Sequence, residues 1–430
     1  MRKASSSSQP VVAEIIAVGS ELLLGGRTDS NSLLITDELA SLGIEVRFKS
    51  IVGDDRADIV CALKTAVARA KIIVMTGGLG PTVDDCTREA IARAAGRKLA
   101  RRKEAFDAMK TRLAQWGRSP NKGQLRQALI PSGATVVPNP VGSAPGFWLS
   151  WRETIVVSLP GVPAEMAAMM RESVMPLLAS HLARRGSMRQ PIRRQVFHTW
   201  GLPEAEVDAK LKGLISKQAP VDVGLLASPL GVVVSLTSKP QAKANIEMWA
   251  SLAKSVRTRL QEWIYGEGAE TMEAVVGNLM LKQQRTIALA ESCTGGLIGH
   301  RLTQVPGSSA YVDRGIICYS NKAKIELLGV PADLIERHGA VSAEVAAAMA
   351  NGVRLRSGVS IGLSVTGIAG PSGGTPTKPV GLVYIALNAD NGETLTREHR
   401  FHGDRSVIKQ RSSQAALDLL RRYLSKQAAS

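Results

Sequence analysis

The chain has 430 residues, 44% of them hydrophobic and 21% charged, with 40 glycines and 20 prolines, a composition that excludes collagen, coiled coil and a mainly disordered polymer. Its length predicts roughly two to four domains of about 150 residues each. With 54 basic and 37 acidic side chains the net charge is +17, which raises the question of an anionic partner.

Residues 1–9 (MRKASSSSQ) read as a loose tail, because Glu14 interrupts the apolar run that follows and no signal-peptide core forms. EIIAVG (14–19) predicts a buried strand, 30–43 a helix opened by Ser30 or Asn31 and stopped by Gly43, 45–52 a strand, 56–69 a helix and 71–78 a strand running into glycines. Helices over 85–95, 103–116 and 163–179 and a strand over 154–161 follow. Residues 188–266 change rhythm to a small βαββα unit: strand 195–201, helix 203–215, strands 221–228 and 231–238, helix 243–262. From 270 the alternation returns, with helices over 271–283, 295–304, from 321, 342–355 and 406–425 and strands over 286–292, 315–320, 360–367 and 380–388. The fold class is therefore α/β: two three-layer α/β domains (10–180 and 270–425) joined by a small α+β middle domain (188–266).

No apolar stretch approaches the roughly 18–20 residues that span a bilayer, so no membrane partner is expected. Cys61, Cys86, Cys293 and Cys318 show no CxxC spacing, and the reducing cytoplasm is the expected compartment. Much of the charge sits in two segments: ten basic and two acidic residues from Arg97 to Arg126, and five basic and none acidic from Arg184 to Arg194. Aromatic residues make up only 4%, few stacking platforms for a single strand. Solvated helix faces explain the two segments, and nucleic acid is not expected as a partner.

In the first domain, strand IIVMT runs into Gly77, Gly78, Leu79, Gly80, Pro81 and Thr82, with Asp84 and Asp85 at the start of a helix. Glycines let backbone N–H groups converge on an anion, and a helix N-terminus adds its positive end. The run is neither a Walker A loop nor GxGxxG. Two aspartates after such a turn suit Mg²⁺ or Mn²⁺; they also suit plain helix caps. Glu21, Asp54 and Asp55 follow the first two strands, and two Pro/Gly loops (139–147, 159–166) complete the carboxyl edge of the sheet, where open α/β sheets bind ligands.

In the last domain, strand TIALAE ends in Ser292, Cys293, Thr294, Gly295 and Gly296. A hydroxyl at this turn is exposed, and an oxyanion formed nearby would face the helix N-terminus. Lys324 falls in the first turn of a later helix, where the dipole lowers its pKa and suits it to act as a base in a Ser–Lys pair. Lys322 is a rival base. Ser292 and Thr294 also suit N-caps, and Cys293 is either a small hydrophobe or itself the nucleophile.

TGGLGPTVDDCT (76–87), with GSELLLG (19–25), NPVGSAPGF (139–147) and LPGVPAEM (159–166) in that order, resembles the molybdopterin-binding-like domain of the CinA family. The resemblance implies a divalent-metal-dependent (Mg, Mn or Co) ADP-ribose pyrophosphatase. Gly77, Gly78, Gly80 and Thr82 would hold phosphate, with Glu21, Asp54 and Asn139 in the nucleotide site and the metal at Asp84 or Asp85. Ser143 stands where the family usually has Thr. Related folds bind a pterin instead, which leaves a binding module without turnover as an alternative. AESCTGG (290–296), CYSNKAK (318–324), HGAVS (338–342), TGIAGPSGG (366–374), KPVG (378–381) and GDR (403–405) resemble the CinA carboxyl-terminal domain, which is similar to nicotinamide mononucleotide deamidases. This implies Ser292 as nucleophile, Lys324 as base and Tyr319 as a hydrogen-bonding partner, with no cofactor. Thr294, Gly295, Thr366, Gly367 and Gly370 would line the substrate site, and Arg405 could pair with the substrate 5′-phosphate. The middle domain resembles its CinA counterpart through WGLPEAEV (200–207) and WIYG (263–266), as a spacer or dimerisation element; a homodimer is the expected assembly. A competence-associated nucleic-acid-binding protein is the reading from another class.

Overall fold

A computed structural model describes residues 11–187, 190–214, 220–239 and 246–427. The expected tail 1–9, and the ends of two expected helices at 215 and 243–245, lie outside the described residues. The chain divides into two compact units: the first runs to Arg193 and takes in Ser238, and the second carries the remainder from Arg194 on.

The first unit is built on strands β1 (Val12–Val18), β2 (Glu45–Val52), β3 (Ile72–Thr76), β4 (Leu99–Arg101), β5 (Leu129–Pro131), β6 (Thr135–Val137), β7 (Gly146–Trp151) and β8 (Thr154–Leu159). Its main sheet has the order β2-β1-β3-β8-β7-β6, while β4 and β5 pair by themselves. The first four strands in that order are parallel, β7 runs antiparallel to β8, and β6 runs antiparallel to β7. β1, β3 and β8 are buried along their whole length, as expected for strands covered on both faces. Ile16, Val18, Ile73 and Met75 pack against helices Arg56–Arg69, Thr87–Ala94 and Lys103–Gln115. Ala13, Ile15, Ile72 and Val74 face Asn31–Ser41 and the helices Pro163–Met169 and Met175–Arg184. Glu14 lies within this core. Its carboxylate takes two bonds from Arg69, at 2.8 and 2.7 Å, and one from Ser50 at 2.9 Å, the bidentate pairing a buried charge needs.

In the second unit, β9 (Arg194–Thr199), β10 (Val221–Ser228), β11 (Gly231–Ser238) and β12 (Ile264–Glu267) form a sheet of order β10-β11-β9-β12. Its inward residues alternate along β11 and meet Val207, Trp249, Val256 and Leu260 from two helices. The carboxyl-terminal sheet joins β13 (Ile287–Glu291), β14 (Val312–Ile317), β15 (Ile361–Gly367), β16 (Leu382–Ala389) and β17 (Thr394–Arg400) in the order β14-β13-β15-β16-β17. β13 runs parallel to β14 and β15, β16 runs antiparallel to β15, and β17 runs antiparallel to β16. Ile287 and Leu289 pack toward helices Met272–Lys282, Leu297–Thr303 and Arg405–Gln427, while Ala288 and Ala290 pack toward Ala343–Ser357. Both large sheets are thus the middle layer of a three-layer sandwich, the fold class expected. No helix among the described residues is long and apolar enough to cross a membrane, and all four cysteines are free.

Candidate active site

At the carboxyl ends of β1, β2, β3 and β8 lies a cavity of about 580 Å³. Glu21, Asp54, Gly77, Gly78, Gly80, Thr82, Asp84 and Asp85 all line it, together with Arg27, Ser143 and Glu165. The glycines are dictated by close packing: at Gly77 (φ 104°) a Cβ would stand 2.0 Å from the Val18 carbonyl oxygen. Arg88 holds the loop from beneath. Its guanidinium is fully buried and donates to the carbonyls of Leu79 at 2.7 Å and Gly80 at 3.0 Å, and burial pulls its pKa below the usual arginine value.

The two aspartates do different things, and neither caps the helix, which begins at Thr87 with no side-chain cap. Asp85 closes its own loop, accepting from the Thr82 N–H at 2.8 Å and hydroxyl at 2.5 Å. Asp84 is exposed and has no partner among the described residues. Asp54 accepts from the Ser20 N–H at 2.8 Å. Asn139 is not in the cavity wall: its amide donates to the Ala144 carbonyl and the Glu165 carboxylate, and its oxygen accepts from Val141 and Gly142. It shapes the loop that carries Ser143. Arg27, an exposed cation with no ion pair among the described residues, was not singled out by sequence reasoning; a lone Arg in a Gly-rich loop gives no periodic signal.

Among the described residues no three His, Cys, Asp or Glu side chains converge as a metal cage. The oxygen donors on the wall do suit a hard cation. Mg²⁺ is commonly held by one or two carboxylates plus substrate phosphates rather than by an all-protein cage, so they fit a cation that arrives with a diphosphate.

The second constellation is built where β13 ends beside β15, the Ser292 N–H donating to the Val365 carbonyl at 3.0 Å. Lys324 sits four residues after the N-cap Ser320 of helix Asn321–Leu328. This places its ammonium at 2% residue exposure, 3.1 Å from Ser292 Oγ, 3.0 Å from the Cys318 carbonyl and 3.5 Å from the Tyr319 carbonyl. Its pKa is lowered, as expected, but the largest cause is burial. Lys322 is mostly exposed and pairs with Glu326 at 3.6 Å, which removes it as a rival. Burial pushes the Cys293 thiol up to about 12 and Cys318 up to about 11, so neither supplies thiolate near neutral pH.

The helix N-terminus is not free to hold an oxyanion. The buried Glu291 carboxylate accepts from the N–H groups of Gly296 (3.0 Å), Ile298 (3.1 Å) and Gly299 (2.8 Å). Ser292 and Thr294 are accordingly not the caps of this helix, whose N-cap is Gly296 without a side-chain bond. The N–H groups of Cys293 and Thr294, the two residues that follow Ser292, have no backbone acceptor among the described residues. Glu291 is the residue that sequence reasoning missed, although it stands inside the AESCTGG run.

Tyr319 contributes its carbonyl to Lys324, while its hydroxyl accepts from Arg405 at 2.7 Å; Arg405 also holds the Gly370 carbonyl at 2.8 Å. Thr366 is buried and donates to the Ala340 carbonyl at 2.8 Å, and Gly367 ends β15 packed against Val383. Both build the wall rather than reach out from it. Thr294 is buried with its hydroxyl unpartnered among the described residues. Gly295 leaves an open Cβ position whose one near neighbour is the Lys409 ammonium, 3.6 Å away. Lys378 ties the HGAVS and KPVG motifs together, donating to the carbonyls of His338 and Val341.

Three family models match in succession: the probable molybdopterin binding domain over residues 14–180, the damage-inducible protein CinA KH domain over 194–266 and the CinA C-terminal domain over 269–424. The chain is 42% identical over 410 residues to a CinA-like protein of Geotalea uraniireducens, covering 95% of this chain and 96% of the relative. It is 41% identical over 422 residues to a CinA-like protein of Koribacter versatilis, covering 96% and 100%. Among solved structures it is similar to the competence/damage inducible protein CihA of Agrobacterium tumefaciens, with 41% identity over 36% of this chain and 93% of that one, at a TM-score of 0.35.

Proposed function

The chain belongs to the CinA family, and from that membership together with the Ser292–Lys324 contact we propose that its carboxyl-terminal domain deamidates nicotinamide mononucleotide. The observation that carries this reading is a buried lysine 3.1 Å from a serine hydroxyl, beside a turn with free backbone N–H groups. Ser292 Oγ attacks the carboxamide carbon as neutral Lys324 takes its proton. The oxygen of the tetrahedral intermediate is held by the N–H groups of Cys293 and Thr294. Lys324 returns the proton to the departing nitrogen, ammonia leaves, and an acyl ester remains on Ser292. Water, deprotonated by the same amine, then releases nicotinic acid mononucleotide and restores the serine.

For the amino-terminal domain we propose cleavage of a diphosphate such as ADP-ribose, presented as its divalent-cation complex. When bound, that cation polarises the phosphoryl oxygens. The Gly77–Thr82 loop and Arg27 would orient the phosphates, and Asp84 and Glu21 would supply carboxylate oxygens to hold the cation. Purified protein incubated with each substrate tests both halves by product identification. Ser292→Ala should abolish ammonia release and leave ADP-ribose cleavage unchanged, and Asp84→Ala should do the reverse. Normal deamidation by Ser292→Ala would refute the nucleophile assignment.

A further inference from the structure

A second cavity of the first unit, about 400 Å³ in volume, shares no residue with the wall of the first. Its wall comes from the last turns of helix Met175–Arg184 and from β6 and β7. Thr135 stands opposite Trp148 across the strand pair and Ser150 lies two residues on, so all three share one face of the sheet. Trp148 meets His181 edge to face with ring centres 5.9 Å apart, and Arg184 and Arg185 complete the polar side. No carboxylate lines the cavity among the described residues; Glu153, whose pKa Arg185 helps to lower, is paired with Lys71 at 2.5 Å. Cations in the last turn of a helix commonly serve its unpaired carbonyls and its dipole. Here the backbone closes the helix by itself. The N–H groups of Arg185, Ser187 and Gly186 donate to the carbonyls of His181, Leu182 and Ala183, with Gly186 at φ 61°. Arg184 gives only its Nε to the Ser180 carbonyl, at 3.3 Å, and Arg185 and the His181 ring make no hydrogen bond or ion pair among the described residues. The group is held at a cost, since burial and then Arg185 and Arg184 lower the His181 pKa. It also opens the acid-free basic segment from Arg184 to Arg194, which neither proposed reaction uses. A phosphate carried on a planar ring would complete this arrangement: guanidinium forks match phosphate, an indole offers a base a stacking surface, and the volume is that of a small-molecule site. The negative end of the helix, about half a charge, opposes an anion here and is outweighed by two guanidinium charges.

We infer that this cavity is a receptor for a nucleoside monophosphate, separate from both proposed reactions, with the phosphate on Arg184 and Arg185 and the base against Trp148. The His181 imidazole is a reporter inside the cavity wall. Its resonances in the full-length protein, labelled at histidine, are assigned by their loss in His181→Gln and followed against pH with AMP, adenosine or inorganic phosphate present. AMP should raise the His181 pKa, because a nearby opposite charge favours the imidazolium, and adenosine should leave it in place. AMP should act at concentrations about 5- to 100-fold below those of inorganic phosphate, the worth of stacking one base on an aromatic ring. Replacing both arginines, Arg184→Gln with Arg185→Gln, should weaken AMP at least about tenfold, as expected for losing hydrogen bonds to a charged group. Trp148→Leu should bring AMP down to the level of phosphate, and Trp148→Phe, which keeps an aromatic ring in the partly buried position, should retain most of the preference. The response should persist in Ser292→Ala and Asp84→Ala, which alter only the two reaction sites. A His181 signal indifferent to AMP, an equal response to adenosine, or equal effectiveness of phosphate and AMP would each overturn the assignment. A single-stranded oligonucleotide that moves the signal at far lower concentration than AMP, through the same two arginines, would overturn it in favour of nucleic acid.

Discussion

Lys324 faces opposed demands. Three oxygens surround its nitrogen and suit an ammonium, while burial favours the neutral amine and lowers the pKa. A base must be neutral to accept the Ser292 proton, so deamidation should be lost as pH falls through the folded-state pKa of Lys324. Because that pKa is depressed, the active range extends below the ~10.4 of an ordinary lysine. A pH profile of kcat/KM for nicotinamide mononucleotide should therefore show an acid limb rising with pH, and Lys324→Met should lose about 10²–10⁴-fold, the usual contribution of a general base. Cys293→Ala should stay within a few-fold of wild type, since a thiol pushed to about 12 is protonated throughout. A limb that moves or disappears in Cys293→Ala would contradict the serine assignment. At this scale the sequence was informative about which residues meet, because the serine and lysine each follow a strand of one sheet. It set Lys324 above its rival Lys322 by its place on the helix wheel alone, since two helical residues 200° apart differ only in which one faces the sheet.

The turn after β13 shows why some elements were legible and others not. Gly295 and Gly296 mark a strand-to-helix turn in any reading, but the helix is capped by a residue that precedes it through the strand end. Caps are usually sought immediately before a helix, and Glu291 lies six residues before Leu297. β12 and β17 were missed for a related reason. Ile264–Glu267 is four residues long and becomes a strand by pairing with β9, and Thr394–Arg400 is polar and half-exposed until β16 supplies its ladder. Neither carries the apolar alternation that marks a strand locally. Removing the Glu291 carboxylate would leave three N–H groups without an acceptor, one of them buried and two partly buried. Glu291→Ala should then cost about 3 kcal/mol, at 1–3 kcal/mol per unsatisfied buried group. Thermal unfolding reads this directly. Glu291→Gln, which keeps one acceptor oxygen, should fall between the two, and a Glu291→Ala protein as stable as wild type would show that the cap contributes nothing.

At the scale of the molecule, motif order and compactness partition the chain differently. The three family matches run over 14–180, 194–266 and 269–424, yet most of the middle sheet belongs to the same compact unit as the carboxyl-terminal sheet. Trp200 and Tyr265 pack against the carboxyl-terminal core, and Arg421 donates to the Glu262 carbonyl at 2.9 Å. Such seam residues look like ordinary surface in a sequence. The net charge is likewise only partly available to a partner. Within the basic run from Arg97, Arg102 pairs with Glu104 at 2.5 Å, Arg126 with Glu89 at 3.1 Å, and Arg112 holds the Pro140 carbonyl. The middle domain, although matched as a KH domain, has no G-x-x-G run in its sequence, the clamp by which such modules grip four backbone nucleotides. A surplus of +17 would give a diffuse positive field that attracts small anions of any kind. A field of this kind is screened over about 8 Å at physiological salt, so kcat/KM for nicotinamide mononucleotide should fall between about 10 and 200 mM salt while kcat stays level, and kcat/KM for nicotinamide riboside, a pyridinium cation without the phosphate, should not fall. The same preparation should wash off DNA at about 150 mM salt. Retention there, with a steep dependence of affinity on salt that reversing the charges of Arg97, Lys98 and Arg118, which form no ion pair among the described residues, weakens, would make nucleic acid the partner and the substrate field incidental.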